Sequence, residues 1–305
     1  MQPPPLIADF HYDHPFCQER RALIVQKMKS GGYWKRVMSA GPELDRLKEF
    51  LSLVESQKHL PESSPLQRPN FLPLYPGVSY RPFYDPKDFD WVKPVEEAYP
   101  VILSEMETLG NDPLYVEYSP PIKASGSWSA VPFYYMGLKI PLSASVCPRT
   151  AAFLEKLPGN CFLYPWGDAL FSRHMPGTHL KAHCSVDGFR LRCHLGLKIT
   201  EGAVMRVGSE TRTWEEGKVL LFDDSFEHEV WNRGTQPRTI LIVDFWHPEL
   251  NPSEIRAIEA GFRKSEIRAL MYTIRLLNAS EETHQQILQA FAMEDADPVI
   301  RSFWD

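Results

Sequence analysis

Two stretches of this chain decide its fold: residues 182–197, A-H-C-S-V-D-G-F-R-L-R-C-H-L-G-L, and residues 222–248, F-D-D-S-F-E-H-E-V-W-N-R-G-T-Q-P-R-T-I-L-I-V-D-F-W-H-P. Both consist of short apolar or alternating runs that are interrupted by Gly, Pro and Asp, a pattern typical of strands and turns. The same pattern extends from residue 115 to residue 245. It predicts a mainly β fold with added helices, and among sandwiches and barrels it favours a double-stranded β-helix, or jelly roll.

Helical patterns lie on both sides of the β-rich region. On the N-terminal side, apolar residues recur at helical spacing at Leu44, Leu47, Leu51 and Val54. Residues 61–94 contain eight prolines among aromatic residues, so we expect an extended, ordered segment that wraps the core. Residues 95–109 are expected to form one helix. The predicted regions are an N-terminal helical and proline-rich region (1–114), a β-helix core (115–250) and a C-terminal helical extension (251–305).

The C-terminal extension carries an apolar stripe at helical spacing. The stripe consists of Ile267, Leu270, Met271, Ile274 and Leu277. Such a stripe usually packs into the core of its own chain. The alternative is a contact between two copies, so a homodimer through the C-terminal helices is a second expectation.

Composition excludes several classes of partner. The chain has 305 residues, a formal net charge of −6 and no long Lys/Arg run, which argues against nucleic-acid binding. Its first residues lack the basic and apolar parts of a secretory signal, and no apolar stretch approaches the roughly 18 to 20 residues of a membrane span. Five cysteines without C-x-x-C spacing indicate reduced thiols. We therefore expect a cytoplasmic protein with no membrane partner.

His183 and His228 are candidate metal ligands, since each lies beside a β-rich run. Either histidine alone is as easily a core residue, but two together suit Fe(II), which oxygenases often bind through two histidines and a carboxylate. That carboxylate often lies two residues after the first histidine, where this chain has Ser185, a poor iron ligand. Water, or a carboxylate from elsewhere in the chain, would then complete the iron shell. Asp187 is the nearest candidate, and the others, near His228, are Asp223, Asp224, Glu227 and Glu229.

A cationic cluster accompanies the histidines. Arg190, Arg192 and His194 alternate along one predicted strand and so share a face, which lines either an anionic pocket or a solvated surface. Arg238 precedes an apolar run, and its planar guanidinium suits a carboxylate, to which Ser172 could add a hydroxyl donor. A redox metal with a dicarboxylate cosubstrate fits this combination.

Other polar residues of this region receive less specific predictions. Asp223, Asp224 and Ser225 have turn chemistry and are expected to be structural. His174 and His179 flank a Pro-Gly pair and are expected in a loop near the pocket.

Residues 160–248 resemble the aspartyl/asparaginyl β-hydroxylase family. The matching runs are 175–179 (M-P-G-T-H), 190–197 (R-L-R-C-H-L-G-L), 214–218 (W-E-E-G-K), 222–231 (F-D-D-S-F-E-H-E-V-W) and 244–248 (D-F-W-H-P). A looser similarity, which includes Trp128 and Ser129, extends back to about residue 68. Together these long runs make the resemblance specific.

The resemblance implies a double-stranded β-helix whose Fe(II) is bound by His183 and His228 alone, with no carboxylate ligand. It also implies that the cosubstrate is 2-oxoglutarate, and that Arg190 faces the substrate. The residues implied to bind 2-oxoglutarate are Ser172 and Arg238 at its far carboxylate, and Arg192 and His194 near its metal-binding end.

The implied activity is a dioxygenase that hydroxylates a C–H bond of an amino-acid side chain in a peptide or protein, or of a small molecule. The family's substrate-binding arginine and glutamine correspond to Lys123 and Ala130 here, so the grip on the substrate is expected to differ. Two alternatives remain: a small-molecule biosynthetic oxygenase with another oxidative outcome, and a catalytically silent β-barrel that binds a ligand.

Overall fold

Two antiparallel β-sheets occupy the centre of the chain. The computed structural model describes residues 11–61, 64–110, 115–117, 122–275 and 281–305. The strands are β1 (Phe83–Tyr84), β2 (Val116–Glu117), β3 (Lys123–Ser125), β4 (Trp128–Tyr135), β5 (Leu138–Lys139), β6 (Ala169–His174), β7 (His179–His183), β8 (Arg190–Lys198), β9 (Ala203–Val207), β10 (Glu210–Arg212), β11 (Val219–Phe222), β12 (His228–Asn232) and β13 (Arg238–Trp246).

The larger sheet has the strand order β1-β11-β8-β13-β6-β4-β2, with β5 paired to β4, and the smaller sheet has the order β10-β9-β12-β7-β3. Apolar side chains of both sheets meet in one core, among them Leu180 and Met205 of the smaller sheet and Ile240 and Ile242 of the larger one. Two antiparallel sheets packed face to face confirm the predicted jelly roll.

Strand β8 shows how the larger sheet separates two environments. Leu191 and Cys193 are fully buried and pack among helical residues such as Ile102 on the outer side of the sheet. Alternate residues of the strand point to the opposite face. There Arg190 and His194 are only 3% and 4% exposed, which excludes the solvated surface that was one alternative for them.

Helices cover the β core on two sides. The helices are α1 (Pro15–Ser30), α2 (Tyr33–Met38), α3 (Asp45–Ser56), α4 (Val92–Glu97), α5 (Tyr99–Leu109), α6 (Pro141–Val146), α7 (Pro148–Lys156), α8 (Pro252–Arg263), α9 (Ser265–Arg275), α10 (Glu281–Glu294) and α11 (Pro298–Trp304). Of the helices in the described ranges, none has both the length and the apolar character that crossing a membrane requires.

The expectation of one helix over residues 95–109 is wrong. Helix α4 already begins at Val92 and ends at Glu97, and α5 begins at Tyr99. Pro100, in the first turn of α5, has no amide hydrogen with which to continue the ladder of α4. The two helices pack against the larger sheet through residues such as Val95 and Ile102.

The N-terminal and C-terminal helices form one helical layer with a shared core. Asn251 caps α8 with a capping box, as the sequence Asn-Pro-Ser before that helix favours. Ile267 and Met271 of the apolar stripe are fully buried in the shared core. Leu270 packs against it, while the side chain of Ile274 and all of Leu277 lie outside the described residues. The stripe thus serves the chain's own core, and the homodimer prediction gains no support.

Candidate active site

His183 and His228 lie directly opposite each other on neighbouring strands. His183 ends β7, His228 begins β12, and the two residues are paired in the antiparallel register. Their ring centroids are 4.1 Å apart, with an angle of 53° between the ring planes. The smaller sheet therefore brings together the two histidines that the sequence places far apart, close enough to share one ion.

Backbone carbonyls fix the protonation of both imidazoles. Nδ1 of His183 donates to the carbonyl of Lys181 at 2.7 Å, and Nδ1 of His228 donates to that of Phe226 at 2.9 Å. Because a carbonyl only accepts hydrogen bonds, each Nδ1 carries the hydrogen and each Nε2 keeps its lone pair. Burial lowers the pKa of His183 and lowers that of His228 to about 3, so both rings are neutral, as metal ligands must be.

A carboxylate ligand from Asp187 is not part of this site. Its Oδ2 accepts a hydrogen bond from the Tyr164 hydroxyl at 2.9 Å, and its Oδ1 accepts one from the amide of Phe189 at 3.2 Å. Within the part of the chain that the structure describes, no group of three or more His, Cys, Asp or Glu residues is placed to hold a metal. The alternative left open at Asp187 therefore finds no support, and His183 and His228 remain the candidate metal-binding pair.

Arg238 is a buried cation that no described residue neutralises. It begins β13, is 1% exposed, and contacts His174 Nδ1 through Nη2 at 3.1 Å. Its guanidinium also lies 4.4 Å from the centre of the Trp214 ring. Its Nε and Nη1 have no hydrogen-bond partner among the described residues. Burial lowers the pKa of Arg238 to about 9, so it remains a cation at neutral pH.

Two further donors share the sheet face of Arg238. Opposite Ile240 on β6 lies Ser172, and opposite Ile242 on β8 lies His194. Trp128 Nε1 donates to the Ser172 hydroxyl oxygen at 3.0 Å, which leaves the hydroxyl hydrogen free to donate.

The indole of Trp214 fixes the tautomer of His194. Its Nε1 donates to His194 Nδ1 at 3.2 Å, so the hydrogen of the neutral ring lies on Nε2, which has no partner among the described residues. Burial holds the pKa of His194 well below its usual value, and the charge of Arg238 lowers this pKa to a smaller extent. Arg238, Ser172 and His194 thus present only donors, the set that a carboxylate-bearing ligand requires.

Arg190 and Arg192 lie in a buried network of carboxylates. Arg192 binds both oxygens of Asp244, at 2.8 and 2.7 Å, and its Nη2 lies 3.2 Å from Asp168. Arg190 Nη1 donates to Asp224 at 2.8 Å. Arg192 was predicted to bind 2-oxoglutarate, and Arg190 was predicted to face the substrate. Both line the cavity, but carboxylates of the chain itself largely neutralise their charge.

Asp224 links this network to the histidine pair. Burial alone would raise its pKa, but Arg190 and Arg192 hold the pKa below its ordinary value. Asp224 lines the same cavity as both histidines, and its charge acts to raise their pKa. The sequence predicted a turn role for Asp224 and also counted it among the carboxylates near His228 that could complete the iron shell. Its two arginine partners were not predicted, because they are distant in sequence.

Other residues were missed or misplaced at the sequence level. His174 ends β6 and contacts Arg238, so it is a strand residue and not a loop residue. His179 begins β7, where its Nε2 lies 2.8 Å from Glu229. Asp244 shares the strand face of Arg238, and a lone carboxylate in an apolar strand was the signal that could have identified it.

A cavity of about 700 Å³ leads to the histidine pair. His183, His228, Asp224, Trp128 and Ile242 are among the residues that line it. Ala130, which corresponds to the family's glutamine, also lines it, whereas Lys123 forms an ion pair with Glu117.

The fold and the site define a double-stranded β-helix protein with two histidines paired across neighbouring strands and a buried arginine beside two further donors. Residues 96–248 match the family described as aspartyl/asparaginyl beta-hydroxylase. The chain belongs to this family.

Relatives and solved structures extend the comparison. The chain is 37% identical over 190 residues to the aspartyl/asparaginyl beta-hydroxylase of Homo sapiens, an alignment that covers 60% of this chain and 25% of that protein. It is 33% identical over 189 residues to the ornithine lipid ester-linked acyl 2-hydroxylase of Rhizobium tropici, which covers 59% of this chain and 65% of that protein. A 2OG-Fe(II) oxygenase family structure from Burkholderia pseudomallei has a TM-score of 0.36 and 13% identity, covering 57% of this chain and 98% of that one. The chain thus spans about a quarter of the human relative.

Proposed function

We propose that this chain is an Fe(II)- and 2-oxoglutarate-dependent dioxygenase that hydroxylates a C–H bond of its substrate. The proposal rests on one combination of features. Two imidazole Nε2 atoms keep their lone pairs, and the same site contains buried donors that have no partner among the described residues. Bound Fe(II) and 2-oxoglutarate would supply the oxidation of the C–H bond by molecular oxygen, with release of succinate and carbon dioxide.

Each side chain has a distinct role in this proposal. His183 and His228 hold the metal through Nε2, with their rings oriented by the carbonyls of Lys181 and Phe226. Arg238 and the Ser172 hydroxyl bind the far carboxylate of 2-oxoglutarate, because a guanidinium with two unpaired nitrogens suits a carboxylate in a dry site. His194 donates through Nε2–H toward the metal-binding end of the same molecule.

Arg190 and Arg192 act in this proposal through the charge of the cavity. Their carboxylate partners reduce the positive charge near the metal, so that a dianionic cosubstrate pairs with Arg238 and not with the whole arginine cluster. Arg192 keeps 19% of its side chain exposed, so it remains the better placed of the two to contact a ligand.

The substrate is an amino-acid side chain in a peptide or protein, or a small molecule. One relative's name refers to aspartyl and asparaginyl residues and another's to a lipid acyl chain, so members of this family differ in substrate. We place the protein in a reducing compartment such as the cytoplasm, on the basis of its five free cysteines. The preserved histidine pair and donor set argue against a catalytically silent binding module.

Anaerobic titration with Fe(II) and 2-oxoglutarate tests the proposal. We expect a visible charge-transfer band in the parent protein, and its loss in His183→Ala and in His228→Ala. His179→Ala is the matched control, because it removes a histidine from the other end of β7 and should keep the band. In air, the parent protein and His179→Ala should release succinate, whereas His183→Ala and His228→Ala should not. The proposal is contradicted if the parent protein lacks the band, or if His183→Ala or His228→Ala keeps full 2-oxoglutarate turnover.

A further inference from the structure

One wall of the cavity comes from residues that precede the family match. That match begins at residue 96, yet Tyr12, His59, Asn70, Leu72 and Leu74 all line the cavity that leads to the histidine pair. We call residues 66–74 the rib. The rib lies outside residues 96–248, the part of the chain that the family model matches.

The rib is fixed to the loops that carry the metal ligands. The backbone amide of Asn70 donates to the carbonyl of Ser185, and the backbone amide of Leu72 donates to the carbonyl of Val186. These two acceptors lie two and three residues after His183. The amide of Glu227, next to His228, donates to the carbonyl of Leu66 at 2.6 Å. Backbone hydrogen bonds therefore fix the rib beside both histidines, where it forms one wall of the cavity.

A buried arginine holds this wall against the first helix. Arg21 of α1 is fully buried and donates to the carbonyls of Phe71 and Tyr12 at 2.9 and 2.8 Å, and to Gln57 Oε1 at 2.7 Å. Its guanidinium also lies 3.8 Å from the centre of the Tyr12 ring. Two segments that line the cavity are thus fixed by one side chain.

The C-terminal extension stabilises the same layer from behind. Tyr33 of α2 donates to the carbonyl of Ala257 at 2.8 Å, and Arg46 of α3 pairs with Glu254, which is 1% exposed. Trp304 packs against Tyr33 at 5.4 Å between ring centroids. Both segments outside the matched residues therefore support one wall of the cavity.

We propose that the rib makes this protein a small-molecule oxygenase, and that it selects a substrate with an apolar body which the cavity encloses. The inference rests on the proposed dioxygenase function. A volume of about 700 Å³ falls within the range of about 300 to 1,000 Å³ that is typical of small-molecule sites. The apolar residues that line the cavity include Leu72 and Leu74 of the rib, Val186 beside it, and Leu170 and Ile242 of the larger sheet.

The test measures binding to the protein loaded with Fe(II) and 2-oxoglutarate under anaerobic conditions. The probes are free and N-acetylated leucine, phenylalanine and aspartate, each compared by calorimetry with a longer peptide that contains the same residue. We expect at least one small probe to bind more tightly than its peptide. Asn70→Trp, which fills the cavity from the rib, should weaken that binding by at least about tenfold. Ser79→Trp adds the same side chain at an exposed position outside the cavity and should not weaken it.

Leu74→Ala provides an independent test in the opposite direction. It enlarges the cavity, so the preference should move toward the bulkier of the small probes. Tighter binding of the peptides, unchanged binding in both rib variants, or no binding by any small probe overturns the inference. If the parent protein lacks the charge-transfer band, the dioxygenase proposal itself fails. A normal band without binding of small probes contradicts only the role of the rib.

Discussion

Replacement of Arg238 by methionine should stabilise the protein without cosubstrate and abolish its response to 2-oxoglutarate. The guanidinium is buried and has no carboxylate partner in the described part of the chain, and burial lowers its pKa to about 9. Such a shift corresponds to a charge penalty on the order of 5 kcal/mol. Methionine can still pack against Trp214, but it loses the cation–π contact with that ring and the contact with His174. We therefore expect a net gain of about 1 to 3 kcal/mol in the free energy of unfolding.

The pH dependence of this gain follows from the sign of the shift. Because the folded-state pKa lies below the unfolded-state value, the folded chain releases this proton more readily than the unfolded chain. The penalty is complete below about pH 9 and shrinks as the pH rises through that value. The stability difference between Arg238→Met and the parent should therefore be constant near neutral pH and should narrow above about pH 9.

The assay is urea unfolding of both proteins, with and without anaerobic Fe(II) and 2-oxoglutarate. At about one hundred times its dissociation constant, 2-oxoglutarate should stabilise the parent by about 2.7 kcal/mol and leave Arg238→Met unchanged. Arg192→Met is the matched control, because removing the partner of buried Asp244 should destabilise the fold by about 3 to 5 kcal/mol. Equal destabilisation by both substitutions, or a full cosubstrate response in Arg238→Met, would refute the reasoning.

Two further substitutions test the supports of the site. Trp214→Phe removes the donor that holds His194 Nδ1 as an acceptor, so 2-oxoglutarate should bind about 3- to 10-fold more weakly, as measured by titration of the charge-transfer band; unchanged affinity would contradict the assigned tautomer. Arg21→Met leaves the buried carbonyls of Tyr12 and Phe71 without their donor and should lower the unfolding free energy by about 2 to 4 kcal/mol. Urea unfolding measures this loss, and a loss of only a few tenths would show that Arg21 does not hold the wall.

The sequence predicted the faces of the strands better than their partners. Alternation along β8 placed Arg190 and His194 on one face, and the same rule applies to Arg238 and Asp244 on β13. Which strands become neighbours depends on packing between distant segments. The pairing of β13 with β8, which brings Asp244 to Arg192, was therefore not visible in local patterns.

The wall of the cavity was beyond prediction for a related reason. The prolines of residues 61–94 predicted an extended course, because proline restricts φ and removes a donor, but residues Pro86–Asp88 form a 3₁₀ helix and α4 already begins at Val92. The contacts of the rib with residues 185 and 186 are made by backbone amides and carbonyls, so they do not depend on the identity of the side chains. No residue type marks such a contact, so the rib's position beside His183 is information that only the fold contains.

The two sheets divide the chemistry of the site between them. The smaller sheet carries both histidines, and the larger one carries Arg238 on β13. Ile242 shares the face of Arg238 along that strand, lines the cavity and packs in the core between the sheets. A residue of the core between the sheets thus also lines the cavity. A change in the volume of Ile242 should therefore alter the distance between the histidine pair and Arg238, although Ile242 has no polar group of its own.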